Sequence, residues 1–210
     1  MTRDTGKALL QFLCLLPLLT ALVLPGVGVL ASLIVVAAVV LFVKAARPHT
    51  FAMVHRSVPA SVAMGLIFGL AVTLAFGLVF EPLIERAAGD PIDLSALGNI
   101  EGDFRAFLLL LAIGLLFGGV IEEVIFRGYV IGWGTALFGA RAAPWLCVLS
   151  AAVFGISHLY QGVAGVVATG LIGLCFGFFY LWTGRRLLPV IVAHMTVNAV
   201  GVTALYLGAG

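Results

Sequence analysis

Seven apolar runs, separated by short polar or glycine- and proline-bearing stretches, organise this chain. They fall at roughly 8–24, 28–43, 58–80, 106–120 with a continuation toward 133, 143–159, 163–182 and 187–207. A bilayer core about 30 Å thick takes about 20 apolar helical residues to cross. The pattern therefore predicts an all-α, polytopic transmembrane helix bundle of about seven spans. The first run follows Lys7 and has the shape of a leader, but a second run stands directly behind it. The two read as a helical hairpin turning at Pro25 and Gly26.

The polar stretches set an orientation. Arg3, Lys7, Lys44, Arg47, Arg56, Arg141, Arg185 and Arg186 fall on one side of the alternating spans, and Arg86 and Arg105 on the other. Basic residues in short loops stay cytoplasmic, so the N-terminus is expected inside and the C-terminus outside. The stretch after the third run, EPLIERAAGDPIDLSALGNIEGDFR, is acidic and belongs to the outer side.

Composition agrees with a lipid-solvated chain. Of 210 residues 63% are hydrophobic and 10% charged, with mean hydropathy +1.24, against about 25% charged in ordinary soluble domains. No polar stretch is long enough to fold separately, so residues 1–210 are read as one membrane-embedded domain. A net charge of +2 with scattered basic residues gives no nucleic-acid footprint. Cys14, Cys147 and Cys175 all lie in apolar runs without CxxC spacing and read as packed thiols. Gly65 and Gly69, Gly114 and Gly118, and Gly173 and Gly177 each form GxxxG, read here as internal helix packing. Nine arginines against two lysines, with heavy Ala, Gly and Val, suggest the cytoplasmic membrane of a prokaryote.

Against this background a few ionisable residues stand out. Glu122 and Glu123 interrupt the fourth run, and His158 and His194 lie in later ones. A charge in hydrocarbon costs at least about 2.5 kcal/mol on insertion scales, so such residues mark function. On an α-helix, Glu123 and Arg127, Phe154 and His158, and His194 and Asn198 are i and i+4 and share a face, while Glu122 is turned about 100° from Glu123. A carboxylate with a histidine beside it can take a proton from water. A second histidine and an amide can donate to an oxyanion. That set suits peptide-bond hydrolysis. The alternative is zinc held by Glu122, His158 and His194 with a fourth position open for water. HExxH and GxSxG are absent, and Asp4, Asp90, Asp93 and Asp103 all lie outside the spans.

Glu122-Glu123-Val-Ile-Phe-Arg127, Phe154-Gly-Ile-Ser-His158 and His194-Met-Thr-Val-Asn198 resemble the EExxxR, FxxxH and HxxxN motifs of the CPBP intramembrane proteases. That group contains CAAX prenyl endopeptidases and bacteriocin-processing enzymes. The similarity covers roughly residues 106–200, a protease-like core preceded by N-terminal spans and an acidic loop in 1–105. It implies an all-helical membrane endopeptidase acting on a membrane-associated protein or peptide. By analogy Glu122 is the general base, His158 helps to activate water, His194 and Asn198 stabilise the oxyanion, and Glu123, Arg127 and Phe154 support the site. Metal-dependent and metal-free versions both fit. No cofactor is favoured, because Asn198 is a good amide donor and a weak zinc ligand.

Two other classes remain beside the protease: a catalytically silent immunity or scaffold protein, and a proton-coupled carrier. The carrier should show a row of polar groups across the membrane, and the first three spans offer almost none. One difficulty is geometric. Counted along seven regular spans, Glu122 falls near the cytoplasmic face and His158 near the outer one. A break in the fourth helix near Gly128 or Gly132, with the following segment to Phe138 lying shallow, is the expected remedy.

Overall fold

The structure is a computed structural model that describes residues 3–24 and 27–209. Apolar helices form at all seven expected places: α1 (Arg3–Val23), α2 (Gly28–Phe42), α3 (Val58–Ala88), α4 (Phe104–Phe138), α5 (Ala143–Ile156), α6 (Gly162–Trp182) and α7 (Leu187–Tyr206). Among the described residues there is no strand. The molecule is turned inside out relative to a water-soluble protein: Ile67 and Leu109 are 70% and 65% exposed, whereas Glu123 and Arg127 are buried. Such a surface is solvated by lipid.

Five helices are long and apolar enough to cross a membrane, and α2 counts as a sixth only with the helical residues that follow it. At Val43 the chain bends by 108° into Lys44–Thr50. α5 has 14 residues, about 21 Å against a core of about 30 Å. Pro25 and Gly26, the expected hairpin turn, lie outside the described residues. The helices on either side do pair, since a Cβ on Gly28 would stand 2.8 Å from the Thr20 carbonyl oxygen.

Most polar groups inside the bundle are satisfied locally, as hydrocarbon demands, with Glu123 Oε2, Arg127 Nε and the Tyr180 hydroxyl left without a hydrogen-bond partner among the described residues. Pro17 has no N–H, which frees the carbonyl of Leu13, four residues earlier in α1. Tyr129 of α4 donates its hydroxyl to that oxygen at 3.0 Å. The Ser32 hydroxyl lies 2.8 Å from the carbonyl oxygens of both Gly28 and Pro17 and shares its one proton between them. All three GxxxG pairs pack internally. Gly65 and Gly69 face Pro189, Val192, Ala193 and Thr196 of α7, Gly173 and Gly177 face α5, and Gly114 and Gly118 face Asn198.

The helix ends sort by contact. Gln11 of α1 donates to the Leu137 carbonyl near the end of α4. His55 donates to the Thr183 carbonyl, and the Leu187 and Leu188 amides donate to Ala52 and Met53. These ends hold Lys7, Lys44, Arg47, Arg56, Arg141, Arg185 and Arg186. At the opposite ends the Gly102 amide donates to Tyr206, and Asp93 to Gln161. Those ends hold Arg86, Arg105 and six of the acidic residues.

Candidate active site

The fourth helix does not break. It runs unbroken from Phe104 to Phe138, and its central 20 residues, Gly114–Trp133, are π-helical. This corrects the expected break near Gly128 or Gly132, and the helix's length removes the geometric difficulty. Glu122 lies 16 residues before Phe138 and His158 lies 15 residues after Ala143, at the adjoining start of α5. At α-helical rise His158 is about 22 Å from that end, and Glu122 somewhat less than about 24 Å, because the π-helical turns between it and Trp133 rise less per residue. The shortness of α5 brings His158 level with the glutamates.

π-helical turns close through i→i+5 hydrogen bonds and cluster at functional sites. Successive residues turn by less than the 100° of an α-helix, so Glu122 and Glu123 diverge less than expected. Glu123 is fully buried and its Oε1 accepts two bonds, from Arg127 Nη1 at 2.8 Å and from His194 Nδ1 at 2.7 Å. Arg127 Nη2 donates to the Gly173 carbonyl at 2.9 Å. Its guanidinium lies between the rings of Phe154 and Phe176, 5.1 and 5.6 Å from their centroids, where cation–π attraction holds it in the absence of water.

Phe154 is the hub. Its ring meets Phe126, His158 and His194 at centroid separations of 5.3, 4.7 and 6.1 Å. His158 Nδ1 lies 2.8 Å from the Phe154 carbonyl oxygen. A carbonyl only accepts, so Nδ1 carries the proton and the neutral ring leaves Nε2 as an acceptor. His194 offers its Nε2 in turn, because Nδ1 is engaged by Glu123.

Asn198 stands one turn beyond His194 and donates Nδ2 to the Gly114 carbonyl at 2.8 Å, leaving the second amide hydrogen free. Gly118 makes room for it. A Cβ there would overlap Asn198 Nδ2 and stand 3.5 Å from His194 Nε2. Glu122 is half-buried and makes no hydrogen bond to a described residue. It lies near enough to feel the charges of His194, Glu123 and Arg127.

Every sequence-derived site residue thus belongs to one neighbourhood, with Glu122 the uncommitted member. Reading the sequence missed three contributions. Glu123 orients His194 as well as pairing with Arg127. Phe176 covers the second face of Arg127. Gly114 and Gly118 shape the amide site. Their spacing was a usable signal, because 114, 118 and 122 form one i, i+4 series ending on Glu122.

Among the described residues no three His, Cys, Asp or Glu side chains are grouped to hold a metal ion.

Residues 104–200 match the family model for type II CAAX prenyl endopeptidase, Rce1-like. Over these residues the chain is similar to that family. The Rce1-like region starts with α4 and ends two residues beyond Asn198, so it contains every residue of the site. The likeness points to a peptidase, and the long apolar helices to an integral membrane protein. Among curated proteins and solved structures, nothing matches the chain.

Proposed function

We propose that this protein hydrolyses a peptide bond of a membrane-associated protein or peptide, with Glu122 as the general base that activates water. The observation that carries this reading is the contrast between the paired glutamates. Glu123 is buried and committed to Arg127 and His194, while Glu122 is half-buried with both carboxylate oxygens free of hydrogen-bonded protein partners. A general base needs such freedom.

The other roles follow from the hydrogen-bond directions. His158 Nε2, left as an acceptor, holds and orients the water. As the water attacks the carbonyl carbon, its proton passes to Glu122 and negative charge gathers on the carbonyl oxygen. The free Asn198 amide hydrogen and His194 Nε2–H donate to that oxygen. For Nε2 to donate while Nδ1 donates to Glu123, the His194 ring carries both protons, and the carboxylates of Glu122 and Glu123 together balance the charges of His194 and Arg127. Glu122 then returns the proton to the departing amine as the C–N bond breaks. Glu123, Arg127 and Phe154 are positioning residues.

The positive-inside arrangement supports a cytoplasmic N-terminus, with the basic helix ends facing the cytoplasm. The test is cleavage of a peptide panel by the purified protein in detergent, with and without a chelator. Glu122→Gln should abolish turnover while the melting temperature stays unchanged. Full activity in that variant would sink the assignment, and about one zinc per chain, lost together with activity on chelation, would replace it with a metal mechanism.

A further inference from the structure

A second site lies away from the glutamates, at the basic end of the bundle. A pocket of about 190 Å³ is lined by Pro48, His49, Ala52, Gly132, Arg185 and Arg186, with Gly184 at its edge. It is polar in a molecule whose surface is otherwise mostly apolar. Neither guanidinium forms an ion pair or a side-chain hydrogen bond among the described residues, and both salt bridges found there involve Glu123. Six of the acidic residues are at the far ends of the helices. Tyr180, completely buried, brings a hydroxyl with no partner to this place. A Cβ on Gly132, in the pocket wall, would stand 2.5 Å from that oxygen and 2.6 Å from the His49 carbonyl oxygen.

We propose that this pocket binds the phosphate of an anionic phospholipid whose acyl chain lies along α6. Two guanidinium groups without carboxylates present the forked donors that phosphate oxygens fit. The orphan hydroxyl lies close behind the wall at Gly132, where it can donate toward the pocket through a water. At about 30 Å³ per water, the volume holds roughly six waters and so has room for a phosphate with part of its hydration. Lipid rather than free phosphate is indicated by a neighbouring apolar groove of about 450 Å³ lined by Phe68, Leu174, Cys175, Phe178, Phe179 and Trp182. It ends at Trp182, 73% exposed and two residues from Gly184. A tryptophan beside basic residues is the usual signature of the headgroup level, and basic pockets between spans take anionic headgroups.

The test uses the full chain in neutral detergent, with phosphatidylglycerol, phosphatidylcholine and inorganic phosphate as probes. Bound lipid is counted by native mass spectrometry and stability followed by thermal melting. Phosphatidylglycerol should be retained and should raise the melting temperature; phosphatidylcholine should do neither. Arg185→Gln and Arg186→Gln should each weaken phosphatidylglycerol binding about fivefold. Tyr180→Phe, which sacrifices no protein hydrogen bond, should weaken lipid binding several-fold with no change in the lipid-free melt. That variant also decides the matter if the arginine variants fail to fold. Trp182→Ala should weaken phosphatidylglycerol binding further. Equal retention of the two lipids, or unchanged binding in the arginine and tyrosine variants, would overturn the site. Stabilisation by inorganic phosphate alone, insensitive to Trp182→Ala, would overturn the lipid in favour of a soluble anion.

Discussion

Replacing Gly118 by alanine adds one methyl group at the point where α4 and α7 come closest to the chemistry. The new carbon would overlap Asn198 Nδ2 and lie 3.5 Å from His194 Nε2 and 3.6 Å from Asn198 Cγ. The Asn198 amide must therefore swing away, breaking its 2.8 Å bond to the Gly114 carbonyl. For stability the effects oppose one another. Alanine is better than glycine in a helix by about 1 kcal/mol, while crowding and the lost hydrogen bond cost about 1 to 3 kcal/mol. The net loss is on the order of 1 kcal/mol, a shift of a few degrees in the melt. For catalysis nothing offsets the change. Losing one oxyanion donor costs about 2.7 to 4 kcal/mol of transition-state stabilisation, or roughly 100-fold to 1000-fold in kcat, with KM nearly unchanged. The assay pairs initial rates on a cleaved peptide with thermal unfolding in the same detergent. Asn198→Ala should lose the same factor, and the double variant should be no worse than either single one. A folded Gly118→Ala protein with kcat within about threefold of the parent would refute the role given to the amide.

Glu123→Gln should cost about 3 to 5 kcal/mol by leaving Arg127 buried without a carboxylate, and an unchanged melting temperature would contradict the network. Arg127→Lys should destabilise nearly as much, because a single ammonium cannot bond Glu123 and Gly173 while lying between Phe154 and Phe176; the melt of the purified variant checks this. His158→Ala should lower kcat sharply with little effect on the melt, since its Nδ1 bond is to a carbonyl on its own helix turn; retention of full turnover would remove it from the mechanism. Chelator treatment should leave activity intact, and recovery of lost activity on adding zinc would refute the metal-free route.

Much of the site was legible in the chain because intramembrane charge is costly and therefore sparse. Glu122, Glu123, Arg127, His158 and His194 stand out of apolar runs with no help from a structure, and i, i+4 spacing predicts the Glu123–Arg127 pair found at 2.8 Å. What periodicity could not reveal is the kind of helix. The expectation of regular spans put Glu122 and His158 at different depths and called for a break that is not there. Hydropathy measures how apolar a segment is, but carries no information on π turns or on how far a helix runs on past the hydrocarbon.

The amino-acid sequence by itself determined the all-helical, lipid-solvated architecture, the asymmetry of basic residues between the two ends and the identity of the chemical groups. Each follows from local composition and from the cost of placing unpaired polarity in hydrocarbon. Spacing already paired Glu123 with Arg127, and only the tertiary structure gave it a second partner while leaving Glu122 with none. Glu122 and Glu123 are adjacent and chemically identical, and α7 completes the difference by bringing the His194 ring to Glu123 from 71 positions away. The same packing made glycines into site residues, because the space left at Gly114 and Gly118 acquires meaning only when Asn198 fills it. Such assignments depend on contacts between distant segments, and no pattern along a single helix contains them.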